Sequence, residues 1–242
     1  MAGALRRAVP AGLIGAAALL AALDAGAAGT GDAAAGRALY ETGCASCHGL
    51  EGEGTSRGPA LEEVGEAGAH FVLSTGRMPL DQASAQAVRK PPAYSPEQIA
   101  DLVAYLGVLS PGPAIPQVDP DDGDLPEGQQ LYAANCAGCH NSAGSGGALG
   151  QAIYAPRLTE ATPTQVAEAV RIGPGAMPVF GPGVLDDAEL ASVVRYVEYL
   201  KDPHDRGGAS LGRLGPVPEG MVAWFVGLGA VLGAVWWIGT RT

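Results

Sequence analysis

Charge is scarce in this chain, and cysteine scarcer. Of the 242 residues only 16% are charged, against roughly 25% in an average soluble protein, and four are cysteine. What charge there is leans acidic, with 14 Lys and Arg against 25 Asp and Glu, and the bases form no cluster. That excludes nucleic acid as a partner, because phosphate binding needs a concentrated basic face. No stretch alternates apolar and polar residues over a useful length, so the expected class is all-α. Glycine (37) and proline (19) are plentiful but lack a Gly-X-Y period, which excludes a collagen-like rod.

Two uncharged segments flank everything else. Arg6 and Arg7 precede Ala8 to Leu23, and Ala25-Gly26-Ala27 supplies small residues where a signal peptidase would cut. Residues 1–28 therefore read as a signal peptide or an uncleaved N-terminal anchor, and the bulk of the chain as exported. Residues 221–238 carry no charge, with Trp224 near one end and Trp236 and Trp237 near the other, as interfacial anchors of a spanning helix should lie. Residues 205–220 are then a juxtamembrane segment. Arg241 beyond the span favours a cytoplasmic C-terminus, with the preceding domains on the extracytoplasmic side.

Between these ends the sequence repeats itself. Gly36-x-x-Leu39-Tyr40 leads into Cys44-Ala-Ser-Cys47-His48, and Gly128-x-x-Leu131-Tyr132 leads into Cys136-Ala-Gly-Cys139-His140. Gly76-Arg77-Met78-Pro79 is answered by Gly175-Ala176-Met177-Pro178 at a larger displacement, so the second copy carries a longer loop. A capped amphipathic helix closes each copy, one opened by Ser95-Pro96 and one by Asp186 with Glu189, and Thr162-Pro163 opens another short helix. The expected domains are 32–110 and 127–204. The linker between them, 111–126, is rich in proline and acid and should stay semi-stiff, solvated and long enough to hold the domains as separate bodies. Each copy is too small to build a comfortable core from side chains alone.

All four cysteines fall in the two Cys-x-x-Cys-His pentapeptides, the attachment pattern for c-type haem. Two thiols on one turn reach two neighbouring vinyl groups, and the following histidine lies under the porphyrin plane. The macrocycle also supplies the missing apolar core. A zinc site of paired Cys-x-x-Cys motifs would place them roughly 15–20 residues apart, and a thioredoxin-like pair would need a βαβ setting. Disulfides across three residues would close strained loops twice over. The chain is thus expected to bind two haem c groups covalently, through Cys44 and Cys47 and through Cys136 and Cys139. His48 and His140 are the proximal iron ligands. Met78 and Met177 are the opposing ones, because two of the four methionines occupy matched Gly-x-Met-Pro settings. His70 is the rival to Met78 in the first copy, with a satisfied surface histidine as its alternative role, and His204 reads as a helix-end residue. His/Met ligation raises the potential and closes the iron to substrate, which suits electron transfer.

The two Cys-x-x-Cys-His units with Gly-x-Met-Pro partners resemble tandem class I cytochrome c domains. The order of export segment, two such domains and one C-terminal span resembles the dihaem cytochrome c subunit of the actinobacterial cytochrome bc1 complex (the QcrC family). Ser74-Thr75-Gly76-Arg77-Met78-Pro79 and Gly215-Pro216-x-Pro218-Glu219-Gly220-Met221 carry that closer match. The resemblance implies a menaquinol-oxidising membrane complex with cytochrome b and Rieske iron–sulfur subunits, delivering electrons to an aa3-type cytochrome c oxidase in aerobic respiration. In it this chain would be the electron-carrying subunit of a quinol–cytochrome c reductase, with no catalytic residues of its own. The alternatives are the dihaem subunit of a cbb3-type oxidase, expected to have an N-terminal anchor and no C-terminal span, and a dihaem peroxidase, which would need an open iron position.

Overall fold

The computed structural model describes residues 31–81, 86–150, 153–204 and 216–241. The expected signal peptide or anchor at 1–28, and 205–215 of the juxtamembrane segment, lie outside the described residues. The first domain holds α1 (Ala33–Gly43), α2 (Ala45–His48), α3 (Gly65–Ser74) and α4 (Pro96–Leu109). The second holds α5 (Leu125–Asn135), α6 (Ala137–His140), a hairpin of β1 (Gly147–Gly150) and β2 (Ile153–Ala155), α7 (Pro163–Ile172) and α8 (Asp187–Lys201). Helix α9 spans Pro216–Gly239.

Both domains are built on the crossing of their first and last helices, and one glycine in each permits it. A Cβ on Gly36 would collide with the carbonyl of Asp101 on α4, and one on Gly128 with the carbonyl of Ser192 on α8. Polar contacts fix each crossing. Asp32 N donates to Asp101 Oδ1 at 2.7 Å in the first domain, and Asp124 N to Ser192 Oγ at 2.9 Å in the second. The closing helices begin where their capping boxes dictate, Ser95 with Gln98 and Asp186 with Glu189. Their apolar stripes form two separate small cores. Leu102 and Leu106 meet Tyr40 and Leu73 in one; Leu190, Val194 and Val197 meet Tyr132 and Val166 in the other.

Three expectations need correction. The fold is mostly helical rather than all-α, because β1 and β2 pair antiparallel, Ala148 opposite Tyr154, with a bulge between Ala148 and Gly150. Three- and four-residue strands are too short to show a period. The hairpin is the longer loop of the second copy; at the matching place the first copy has a lone bridge, Thr55 to Gly58.

The linker, secondly, is not a free spacer. Ala67 N donates to Pro113 O at 3.0 Å and Ile115 packs on the first core, while Val118 packs on the second. A 3₁₀ turn at Pro120–Asp122 follows, and Arg195 on α8 donates to the carbonyls of Asp121 (3.2 Å) and Gly123 (2.6 Å). Helix α5 starts at Leu125, inside the expected linker. The domains are consequently not held apart: α3 faces α7 directly, and His70 Nδ1 lies 2.6 Å from Glu168 Oε1.

The apolar C-terminal helix, thirdly, begins before 221 and takes in residues 216–220 of the juxtamembrane segment. Its mean hydropathy is 2.0 and its side chains are exposed along its length, Trp224 and Trp236 at 72% and 73%. Length and composition suit a membrane span.

Candidate functional site

Each Cys-x-x-Cys-His pentapeptide is folded by its own backbone. Cys44 ends α1, and Cys47 N and His48 N both donate to Cys44 O at 3.0 Å, forming the single turn of α2. In the second copy Cys139 N and His140 N donate to Cys136 O at 3.1 and 2.9 Å. Both thiols therefore lie on one turn with the histidine next in line. The chain then reverses at a residue with positive φ, Gly49 (82°) in one copy and Asn141 (67°) in the other, an extended positive-φ conformation open to glycine and strained for asparagine. A buried tyrosine holds each reversal: Tyr40 donates to Gly49 O at 2.7 Å and Tyr132 to Asn141 O at 2.6 Å.

The histidine rings are oriented by carbonyls that sequence reasoning missed. His48 Nδ1 is 2.8 Å from Pro59 O and His140 Nδ1 is 3.0 Å from Pro156 O. A carbonyl only accepts, so Nδ1 carries a proton and Nε2 is the nitrogen that remains to bind a metal. Burial further pushes His140 below the ordinary histidine range, which favours the neutral ligand form. The matched Pro-x-Leu triplets at 59–61 and 156–158 were the available signal. Burial also pushes the Cys44 thiol up and the Cys136 thiol to about 11, the neighbouring cysteine adding to each.

The opposing methionines sit in loops held by different means. Met78 N donates to Val72 O at 3.1 Å, and Lys90 reaches back through its backbone N–H to Thr75 O (3.1 Å) and through Nζ to Pro79 O (3.1 Å). Past Met177, Phe180 N donates to Val170 O at 2.9 Å. There the buried Arg171 guanidinium gathers the loop, donating to Phe180 O (2.9 Å), Leu185 O (2.6 Å) and Asp187 Oδ1 (2.6 Å). Met78 packs on the first core and Met177 on the second.

These pieces converge. One cavity of about 1450 Å³ is lined by His48 and Met78 from the first domain and by His140 and Met177 from the second. That exceeds the roughly 300–1,000 Å³ of a site for one small ligand. Cys136 and Cys139 line it too; Cys44 packs on the first core one turn from His48. His70 points instead to Glu168 across the domain junction, so its own contacts fit the satisfied-histidine reading. His204 lies just past α8, its ring 6.5 Å from that of Tyr199. A site with two carbonyl-oriented imidazoles, two thioethers, paired thiols and a largely apolar lining fits c-type haem. Among the described residues, no group of three or more His, Cys, Asp or Glu could hold a bare metal ion.

Known proteins point the same way. The family model for cytochrome c matches residues 33–110, and that for cytochrome c oxidase, cbb3-type, subunit III matches residues 123–197. The chain is 39% identical over 217 residues to the cytochrome bc1 complex cytochrome c subunit of Mycobacterium tuberculosis, covering 86% of this chain and 77% of the relative. It is 37% identical over 227 residues to the protein of that name from Corynebacterium diphtheriae, covering 86% and 80%. The cbb3-type cytochrome c oxidase subunit CcoP of Rhodobacter capsulatus is 27% identical over 191 residues, covering 69% and 61%.

Proposed function

The chain belongs to the family of cytochrome bc1 complex cytochrome c subunits, and from that premise we propose that it carries two covalent haem c groups and relays single electrons through a quinol-oxidising membrane complex. The observation that carries the reading is the shared cavity, on which both His–Met pairs open. Cys44 and Cys47, and Cys136 and Cys139, would hold the haems; His48 with Met78, and His140 with Met177, would ligate the irons. Haem supplies a ferric–ferrous couple. The residues do the rest. The Pro59 and Pro156 carbonyls orient the imidazoles, Met78 and Met177 would supply the remaining iron ligands, and a closed iron would favour electron transfer over substrate binding.

In this reading electrons enter one domain from a Rieske iron–sulfur subunit held beside cytochrome b, cross the junction, and leave the other for an aa3-type oxidase. Helix α9 anchors the chain with the haem domains on the extracytoplasmic side. A role in a cbb3-type oxidase is the weaker alternative, since that relative is more distant and the chain covers less of it.

The test is cofactor stoichiometry. Acid-denatured protein should retain two thioether-linked haems per chain, and replacing Cys136 and Cys139 with Ala should leave one. Stoichiometric zinc in place of haem would defeat the reading. Co-purification of cytochrome b and Rieske subunits supports the bc1 assignment, whereas co-purification with a cbb3 oxidase overturns it.

A further inference from the structure

Arg77 precedes the axial methionine of the first domain, where the second copy has Ala176. Its guanidinium stacks 4.8 Å from the centroid of the buried Phe71 ring and lines the shared cavity. Its Nη1 is buried without a hydrogen-bond partner, and among the described residues Arg77 joins no ion pair. A second cation stands close by. Lys90 N bonds Thr75 O, so the chain at 89–90 runs back beside 75–77. Arg89, which also lines the cavity, donates to Gln165 Oε1 at 3.1 and 3.2 Å and stands 3.9 Å from the mostly exposed Glu160. Burial first, and then the Arg89 charge, lower the basicity of Arg77. An isolated buried charge of this kind is costly unless something neutralises it. Glu62 and Glu63 line the same cavity without pairing with it.

The required partner is an anion with acceptor oxygens on the cavity side. We propose that Arg77, supported by Arg89, is the carboxylate anchor of the cavity and that its guanidinium donates to a propionate of a haem seated there. This rests on the haem reading above. A guanidinium fork suits a carboxylate better than an ammonium does. Arg77 is in this view a positioning residue: it orients the porphyrin edge at the domain junction and offsets the propionate charge, which otherwise stabilises the ferric state.

The experiment uses the intact purified chain in detergent with Arg77→Gln, Arg77→Lys and Arg89→Gln. It reads the propionate-bending band by resonance Raman and each haem's midpoint potential by optical titration. Arg77→Gln should move the band and lower one haem's potential. Arg77→Lys should restore the potential more fully than the band, because it keeps the charge and loses the fork. Arg89→Gln should shift both readouts in the same direction by less. Repeating Arg77→Gln without Cys136 and Cys139 assigns the propionate: a persisting shift places it on the haem of the first domain, a vanished one on that of the second. Two retained haems with bands and potentials unchanged in Arg77→Gln would overturn the proposal and leave Arg77 as a cover over Phe71. Should Arg77→Gln not accumulate, an unmoved band in Arg77→Lys overturns it equally. A wild-type chain without covalent haem would defeat the haem reading itself.

Discussion

The two domains of this chain agree in what holds the Cys-x-x-Cys-His turn and its histidine ring, and differ in what faces elsewhere. Shared are the glycine at the helix crossing, the tyrosine that bonds the carbonyl after the histidine, and the proline carbonyl on Nδ1. The tyrosines even meet a second ring alike: Tyr40–Tyr105 centroids are 5.4 Å apart and Tyr132–Tyr196 centroids 5.2 Å, both tilted 54°. The methionine loops differ. The first is tied by Lys90 and covered by Arg77; the second is gathered by Arg171, whose counterpart in the first copy is Val72. The junction residues differ as well, with Ala69 standing where the second copy has Glu168. Ligation constrains a few positions tightly, whereas a loop can be fastened in many ways and a junction needs complementarity rather than likeness.

The largest effect should come from breaking the shared part. Met78→His and Met177→His should each lower one haem's potential by a sizeable part of the ~0.8 V range that axial ligands span. Each should also remove one thioether-to-iron charge-transfer band. Equivalent ligation requires both variants to act alike. If Met78→His were silent while His70→Ala shifted one haem's potential, the first domain would be ligated by His70 and the comparison would fail.

A smaller change isolates the difference. Arg171→Met keeps the volume of the side chain but leaves the buried carbonyls of Phe180 and Leu185 without donors. At about 1–3 kcal/mol for each unsatisfied group, the second domain should lose roughly 2–6 kcal/mol in denaturant unfolding. Its Met177 band should fade first, with the Met78 band unmoved. Equal fading of both bands would mean that the loops are not fastened independently.

The turns and caps that position the candidate ligands were legible because they are local. Cys44, Cys47 and His48 sit on one turn, and Ser95, Thr162 and Asp186 cap helices with partners three residues away. Met78 and Met177 lie farther from their histidines, but duplication exposed them. The long-range contacts escaped. Nothing near His70 announces Glu168, and nothing in a proline-rich acidic run says that Arg195 will take its carbonyls. The hairpin escaped through brevity, yet it is also a junction element. Gln86 of the first domain pairs with β2, donating to Tyr154 O at 2.7 Å and accepting from Tyr154 N at 3.1 Å. The extra loop of the second copy thus covers its own strand edge with the first domain.

The smallest effect is the pH dependence of that junction. The hydrogen bond to Glu168 raises the His70 pKa above its ordinary value, against the penalty of burial. Burial raises the Glu168 pKa, with His70 opposing. Folded, the pair therefore holds a proton to higher pH than its separated members would. Glu168 is fully buried and its Oε2 has no partner, so losing the shared proton leaves a bare anion at the junction. Arg89, bonded to Gln165 one turn earlier on α7, is the cation on the same face. Because both members bind their proton more tightly in the folded state, stability is fully present only below about pH 4.3, the ordinary glutamate value. It then falls as pH rises through the raised value, with a slope of at most about 1.4 kcal/mol per pH unit for one proton. Thermal unfolding of the intact chain between pH 6 and 9 should show this decline. Glu168→Gln, which still accepts from His70 but cannot become an anion, should flatten it, and Ala69→Ser should leave the slope as it is. A wild-type slope retained in Glu168→Gln would mean that the proton is held elsewhere, and the junction would then owe its hold to Gln86, Arg89 and Gln165 rather than to this pair.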